Sequence, residues 1–175
     1  MPIDKLPVGL FEGISTLNQI TLPDTLTHVT QRLLKGTSIK KITIPYKVIY
    51  MEAEAFTNTP LEEVEFKSST ISFNRSDDPF KGVRRTIKKV AFPNLVKIPV
   101  GLCSNMSIDS IAIPSCTTDI GHYAFESCNY LQSIDLQNVT VIEQSAFEFC
   151  FSLETVVGLD KVTTIGDRAF SYTFI

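Results

Sequence analysis

The feature that most limits what this chain can become is a repeat. Residues 119–136, DIGHYAFESCNYLQSIDL, return at 141–157 as VIEQSAFEFCFSLETVV. The shared phrase is Ile-x-x-x-Ala-Phe-x-x-Cys-x-x-Leu-x-x-Ile-x-Leu, and looser copies reach back to the N-terminus. Aligned on the Phe of Ala-Phe, the anchors are Phe11, Leu34, Phe56, Phe80, Cys103, Phe125, Phe147 and Phe170, spaced 22–24 residues apart. A second apolar anchor, Ile20, Ile42, Val64, Val90, Ile111, Ile134 and Val156, keeps the same period within 21–26 residues. Two registers held together over seven copies point to stacked coils that bury apolar residues only against their neighbours. The expected coils are 6–24, 25–45, 46–66, 67–93, 94–114, 115–136, 137–157 and 158–175, forming a single domain over 1–175.

Each coil reads as one strand and one turn segment. In coil one, Ile20 and Leu22 alternate with Gln19 and Thr21, the period of a half-buried strand. Pro23 closes it, and Pro45, Pro93 and Pro114 recur at the same place, each lacking the N–H that would continue a ladder. Two residues after the Phe anchor come Gly13, Gly36, Asn58, Gly82, Asn105 and Ser127. Gly and Asn accept the left-handed conformation, so a short helical or 3-10 turn is expected to end there. The anchor side chains are expected to point inward and stack as a spine.

Coil three carries Glu62, Glu63 and Glu65 on its strand, flanked by Lys40 and Lys41 on one side and Lys88 and Lys89 on the other. Neighbouring parallel strands lie about 5 Å apart. This predicts either a Lys–Glu–Lys ladder that sets register or a charged ligand patch on the sheet face. Coil four holds an insertion, with Asn74 to Pro79 reading as a polar loop and Arg84, Arg85, Lys88 and Lys89 as a basic cluster after it. Insertions in such arrays map to loops and often to the binding face. Replacing Arg84 and Arg85 is expected to leave stability nearly unchanged. The candidate ligand-facing residues are therefore Lys41, Thr43, Glu63, Glu65, Arg84, Arg85, Lys89, Ser110, Ser133, Asp135 and Thr155.

Hydrophobic content of 43% and charged content of 20% are globular values. A net charge of −3 argues against a nucleic-acid partner, and no apolar run is long enough to span a membrane. Met1 is followed by PIDKLPVGL, which has neither the basic start nor the apolar run of a signal peptide. The start therefore fits a chain not exported by that route, or one whose leader lies outside this sequence. Cys103, Cys116, Cys128 and Cys150 form no Cys-x-x-Cys pair, and His28 and His122 occupy different repeat positions, so no metal or other cofactor is expected. Cys128 and Cys150 share a slot in consecutive coils, as small buried thiols or as a disulfide. The sequons at Asn74, Asn105 and Asn138 would serve a secreted eukaryotic protein. Neither end shows the polar cap that solenoids need, which allows self-association or a longer array.

The repeat resembles the BspA-type, or Treponema pallidum-type, leucine-rich repeat, whose phrase is Ile-Gly-x-x-Ala-Phe-x-x-Cys-x-x-Leu-x-x-Ile-x-Ile-Pro. Here Ile120-Gly121, Ala124-Phe125, Cys128, Leu131, Ile134 and Leu136 match it, and Ile165-Gly166 with Ala169-Phe170 repeat its first half. The resemblance covers residues 6 to 174. It departs at the coil-four insertion, at Cys103 in the Phe slot, and at the prolines missing after coils three, six and seven. It implies a right-handed leucine-rich-repeat solenoid with a parallel sheet on the concave face and short turns and loops on the convex side. It further implies binding of another protein, in surface adhesion or host and matrix interaction, not catalysis. No catalytic motif is present in the sequence. An intracellular scaffold or a structural spacer fits the same residues, the leaderless start favouring the cytoplasm and the resemblance favouring the cell surface.

Overall fold

The computed structural model describes residues 3–175; Met1 and Pro2, and with them the reading of a leaderless start, lie outside it. The chain winds as a solenoid of parallel strands carrying two kinds of ladder. Its strands are β1 (His28–Val29), β2 (Lys41–Ile44), β3 (Tyr50–Met51), β4 (Glu63–Phe66), β5 (Lys89–Ala91), β6 (Lys97–Ile98), β7 (Asp119–Ile120), β8 (Ser133–Asp135), β9 (Val141–Ile142), β10 (Thr155–Val157) and β11 (Thr164–Ile165). The first ladder is the one read from the Ile-x-Leu unit: β2, β4 and β5 pair in parallel, as do β8 and β10. Ile42, Val64 and Ile134 point into the core while their strand neighbours face out, as alternation demands.

The second ladder carries no alternation long enough to be read as a strand. β1 pairs with β3, and β6, β7, β9 and β11 form a four-stranded parallel sheet. Each of these strands is two residues long, a single period of a strand pattern. Gly121 and Gly166 follow it, where coils approach so closely that a Cβ would lie 2.6 Å from Ile98 O and 2.5 Å from Gln144 N.

Coil one differs from its expected strand. Residues 18–22 join no ladder, although Leu22 is buried.

The Phe segments also differ from the expected helical turn. They are runs of tight turns with left-handed residues two before and two after the anchor: Gly9 and Gly13, Arg32 and Gly36, Glu54 and Asn58, Gly101 and Asn105, Tyr123 and Ser127, Ser145 and Phe149, Arg168 and Tyr172. This alternation prevents a helix, which needs consecutive right-handed residues. It turns alternate amides toward the next coil instead. Gly9, Phe11 and Gly13 donate to Gln31 O, Leu33 O and Lys35 O, and Tyr123, Phe125 and Ser127 donate to Gln144 O, Ala146 O and Glu148 O. A left-handed L-residue costs on the order of 1–2 kcal/mol, which these inter-coil hydrogen bonds offset. Short 3-10 helices occur elsewhere, at Arg75–Asp77, Arg84–Thr86 and Leu159–Lys161.

The spine is present. Leu34, Phe56, Phe80, Cys103, Phe125 and Phe147 are fully buried, and Phe11 and Phe170 pack against the core at the ends. Phe125, Phe147 and Phe170 stack with centroids 5.1 and 5.2 Å apart, and Phe56 stacks on Phe80 at 5.3 Å.

Between coils four and five the ladders lapse together. β5 has no partner on its coil-five side, and residues 109–113 form no strand of the ladder. Ser72 bridges Tyr50 but does not pair with Lys97. At the position where Glu52, Gly121, Glu143 and Gly166 donate to the preceding coil, coil five has Pro99, which carries no N–H. Among the described residues a single backbone hydrogen bond, Ser107 N–H to Ile87 O at 2.9 Å, crosses the junction.

Candidate functional site

Arg84 closes this junction. Its Nη1 lies 3.0–3.1 Å from the carbonyl oxygens of Gly101, Leu102 and Ser104, in the coil that the turn amides of coil four leave unbonded. Its Nε and Nη2 donate to the two carboxylate oxygens of Asp78, each at 2.8 Å, and its guanidinium lies near the Phe73 and Phe80 rings. Only 12% of the side chain is exposed. The reading of Arg84 as ligand-facing is corrected: a fixed fork of donors matches a carboxylate on one side and carbonyls on the other, and it is spent inside the protein. The guanidinium thus supplies contacts between the turn segments of coils four and five where backbone N–H···O bonds are missing.

The outward side of the first ladder gathers most of the other candidates. Lys41, Glu63, Glu65, Lys89 and Ser110 border an open hollow of about 720 Å³ whose floor includes the exposed Ala91 and Ala112. Glu63 sits between two lysines, 3.4 Å from Lys41 Nζ and 3.2 Å from Lys89 Nζ, so the Lys–Glu–Lys ladder forms. The hydrogen bonds from Lys89 and then Lys41 hold the Glu63 carboxyl below its usual range. Thr43 Oγ donates to Glu65 at 2.9 Å and borders an adjoining hollow of about 540 Å³ with Asn18, Gln19 and Lys67. Ser133, Asp135 and Thr155 lie further along, on β8 and β10; the Asp135 carboxylate accepts from Gln137 at 2.9 and 3.0 Å. Arg85 is apart from all of these and borders a separate cavity of about 260 Å³ with Asn105, Ser127, Asn129 and Tyr130.

All four cysteines are free thiols, so the disulfide alternative is not realised. Cys128 and Cys150 donate to Cys103 O and Phe125 O at 3.1 and 3.0 Å, one coil back. Burial pushes Cys103 and Cys150 up to about 12 and raises Cys128 as well, which makes these thiols poor nucleophiles and poor metal ligands. Among the described residues no group of three or more His, Cys, Asp or Glu side chains could hold a metal ion.

Two charged clamps escaped the sequence reading. Glu52 accepts from Lys5 Nζ and Gln31 N–H, both at 2.9 Å; Glu143 accepts from Lys97 Nζ at 2.7 Å and His122 N–H at 2.9 Å. Each glutamate sits four residues before its Phe anchor, and each lysine six before the anchor two coils earlier. That shared offset was a readable signal, hidden because it joins residues about 46 apart. Burial alone would raise both carboxyls, yet the hydrogen bonds win and hold them below 4.5.

Parallel strands, a buried apolar spine and a turn on each coil define a leucine-rich-repeat solenoid. The sequence profile of the BspA type leucine rich repeat region matches residues 2–98 and 76–175, in six copies. The chain belongs to that family, whose members are typically non-catalytic modules for protein interaction. It is similar to a leucine-rich repeat protein from Bacteroides ovatus ATCC 8483, with 27% identity and a TM-score of 0.69 over 89% of this chain and 40% of that one. It shares its fold with the T. pallidum leucine rich repeat protein, with 18% identity and a TM-score of 0.53 over 85% of this chain and 70% of that one. The chain thus spans less than half of the Bacteroides protein's length. No curated protein matches it. Among the described residues no helix is long and apolar enough to cross a membrane.

Proposed function

We propose that the chain is a non-catalytic module that holds a partner protein against the outward side of β2, β4 and β5, in surface adhesion. The observation that carries this reading is the hollow of about 720 Å³, where charged side chains and Ser110 border a floor that includes Ala91 and Ala112. Small floor residues let a partner's side chains approach the backbone, and the charged border fixes their orientation. Because Lys41, Lys88 and Lys89 of the lining are matched in number by Glu63, Glu65 and Asp109, the face favours a partner of mixed charge, with weak dependence on salt.

The test is solid-phase binding of the chain to a panel of purified extracellular-matrix proteins, repeated with Ala112→Arg. Ala112 is exposed, so the variant should keep its melting temperature and lose at least tenfold in affinity. Binding to none of the matrix proteins would remove adhesion and leave an intracellular scaffold. Binding untouched by the variant would move the interface off this face.

A further inference from the structure

On the turn side of coils five to seven, a second surface has a different chemistry. Asn105, Ser127 and Phe149 occupy the same turn-end position in successive coils, all left-handed, with φ of 60°, 58° and 61°. Their registry is fixed by Asn105 N–H to Glu126 O and Ser127 N–H to Glu148 O. In coils one, two and four that position is Gly13, Gly36 and Gly82, which have no side chain to offer. Two residues on, Ser107, Asn129 and Phe151 form a parallel row. The surface therefore runs from amides and hydroxyls to aromatic rings over three coils, about 10 Å at the spacing of adjacent parallel strands.

The polar end is a cavity of about 260 Å³, below the usual range for drug-sized ligands, bordered by Arg85, Asn105, Ser107, Ser127, Asn129 and Tyr130. Among the described residues, the guanidinium of Arg85 and the side chains of Asn105, Ser127 and Asn129 have no hydrogen-bond or ionic partner. The contrast with Arg84, one residue earlier and fully engaged, is direct. Tyr130 is 61% exposed and Phe151 48% exposed, and Phe149 lies 6.0 Å from Phe151.

We propose that this strip binds a short oligosaccharide carrying an acidic sugar. A sugar ring has two requirements that the strip meets together. Its C–H faces stack on exposed aromatic rings, which otherwise form an unfavourable apolar patch. Its hydroxyls both donate and accept, as Asn amides and Ser hydroxyls do. The free guanidinium beside them matches a carboxylate in its fork geometry. The site lies apart from the hollow over β4 and β5 and stands independently of any role for that face.

Isothermal titration of the whole chain with a sialylated trisaccharide, a glucuronate disaccharide and neutral lactose tests this. At least one acidic sugar should bind saturably and lactose at least tenfold more weakly. Tyr130→Ala and Arg85→Gln should each lose tenfold or more with an unchanged melting temperature, while Ala112→Arg should bind as the parent does. No binding of either acidic sugar overturns the proposal, as does affinity that survives Tyr130→Ala. Equal binding of lactose overturns the acidic assignment, and an aromatic-rich peptide that occupies the strip in place of the sugars overturns the ligand class.

Discussion

Phe147 is buried completely, with Phe125 stacked on one side and Phe170 on the other. Truncating it removes contacts to two coils at once, and neither coil can collapse into the space without breaking its turn ladder. Phe147→Ala should therefore cost about 3–5 kcal/mol, the range for large core truncations. Phe11, half-buried with a neighbouring coil on one side only, should cost clearly less. Urea unfolding of both variants checks this; equal losses would mean that the rings do not form a stacked spine. Cys103 stands in the same slot and shows how one residue type was legible and its surroundings were not. Its apolar burial follows from the period. The guanidinium of Arg84 beside the neighbouring carbonyls does not, because only the insertion brings it there.

At the scale of elements, stability in a solenoid is close to a sum of coil terms and nearest-neighbour terms, so the weakest junction decides cooperativity. Here that junction lies between coils four and five, where Arg84 and Asp78 substitute for the missing ladders. Arg84→Ala should cost about 3 kcal/mol, as when one partner of a largely buried ion pair is removed. It should also split urea unfolding into two transitions with smaller slopes, since m follows the surface exposed in each step. Arg84→Lys should not rescue it, because an ammonium cannot span the Asp78 carboxylate and three carbonyls together. A single wild-type transition in Arg84→Ala would show that the junction holds without it. This replaces the expectation of a neutral substitution, which rested on Arg84 being a solvated charge in a basic cluster. Sequence proximity grouped it with Arg85; the fold separates them, one inward and one outward.

Across the whole molecule, Glu52 and Glu143 each tie together coils that are not neighbours, Glu143 reaching from coil seven to Lys97 in coil five. Both carboxyls are held below 4.5 in the folded protein. A lowered folded-state value contributes stability above the ordinary value, and that contribution is lost as pH falls through the folded one. The melting temperature should therefore drop as pH is lowered from 4.5, and Glu143→Gln should melt lower at neutral pH with a shallower acid slope. Thermal melts between about pH 3 and pH 7 read both; an identical slope in the variant would discount the clamp. The sequence by itself determined the period, the inward anchors and the parallel strands of the Ile-x-Leu unit in coils two, three, four, six and seven, because each rests on residues one repeat apart and repeats stack in register; it placed Lys41, Glu63 and Lys89 side by side but left ladder and ligand patch both open. Only the tertiary structure decided the second ladder, the tight-turn form of the Phe segments, the Arg84 staple and the strip from Arg85 to Phe151. Two-residue strands carry no readable alternation, and left-handed turns accept many side chains once neighbouring coils take their amides. A side chain's choice between a carbonyl and solvent is made by the coil beside it.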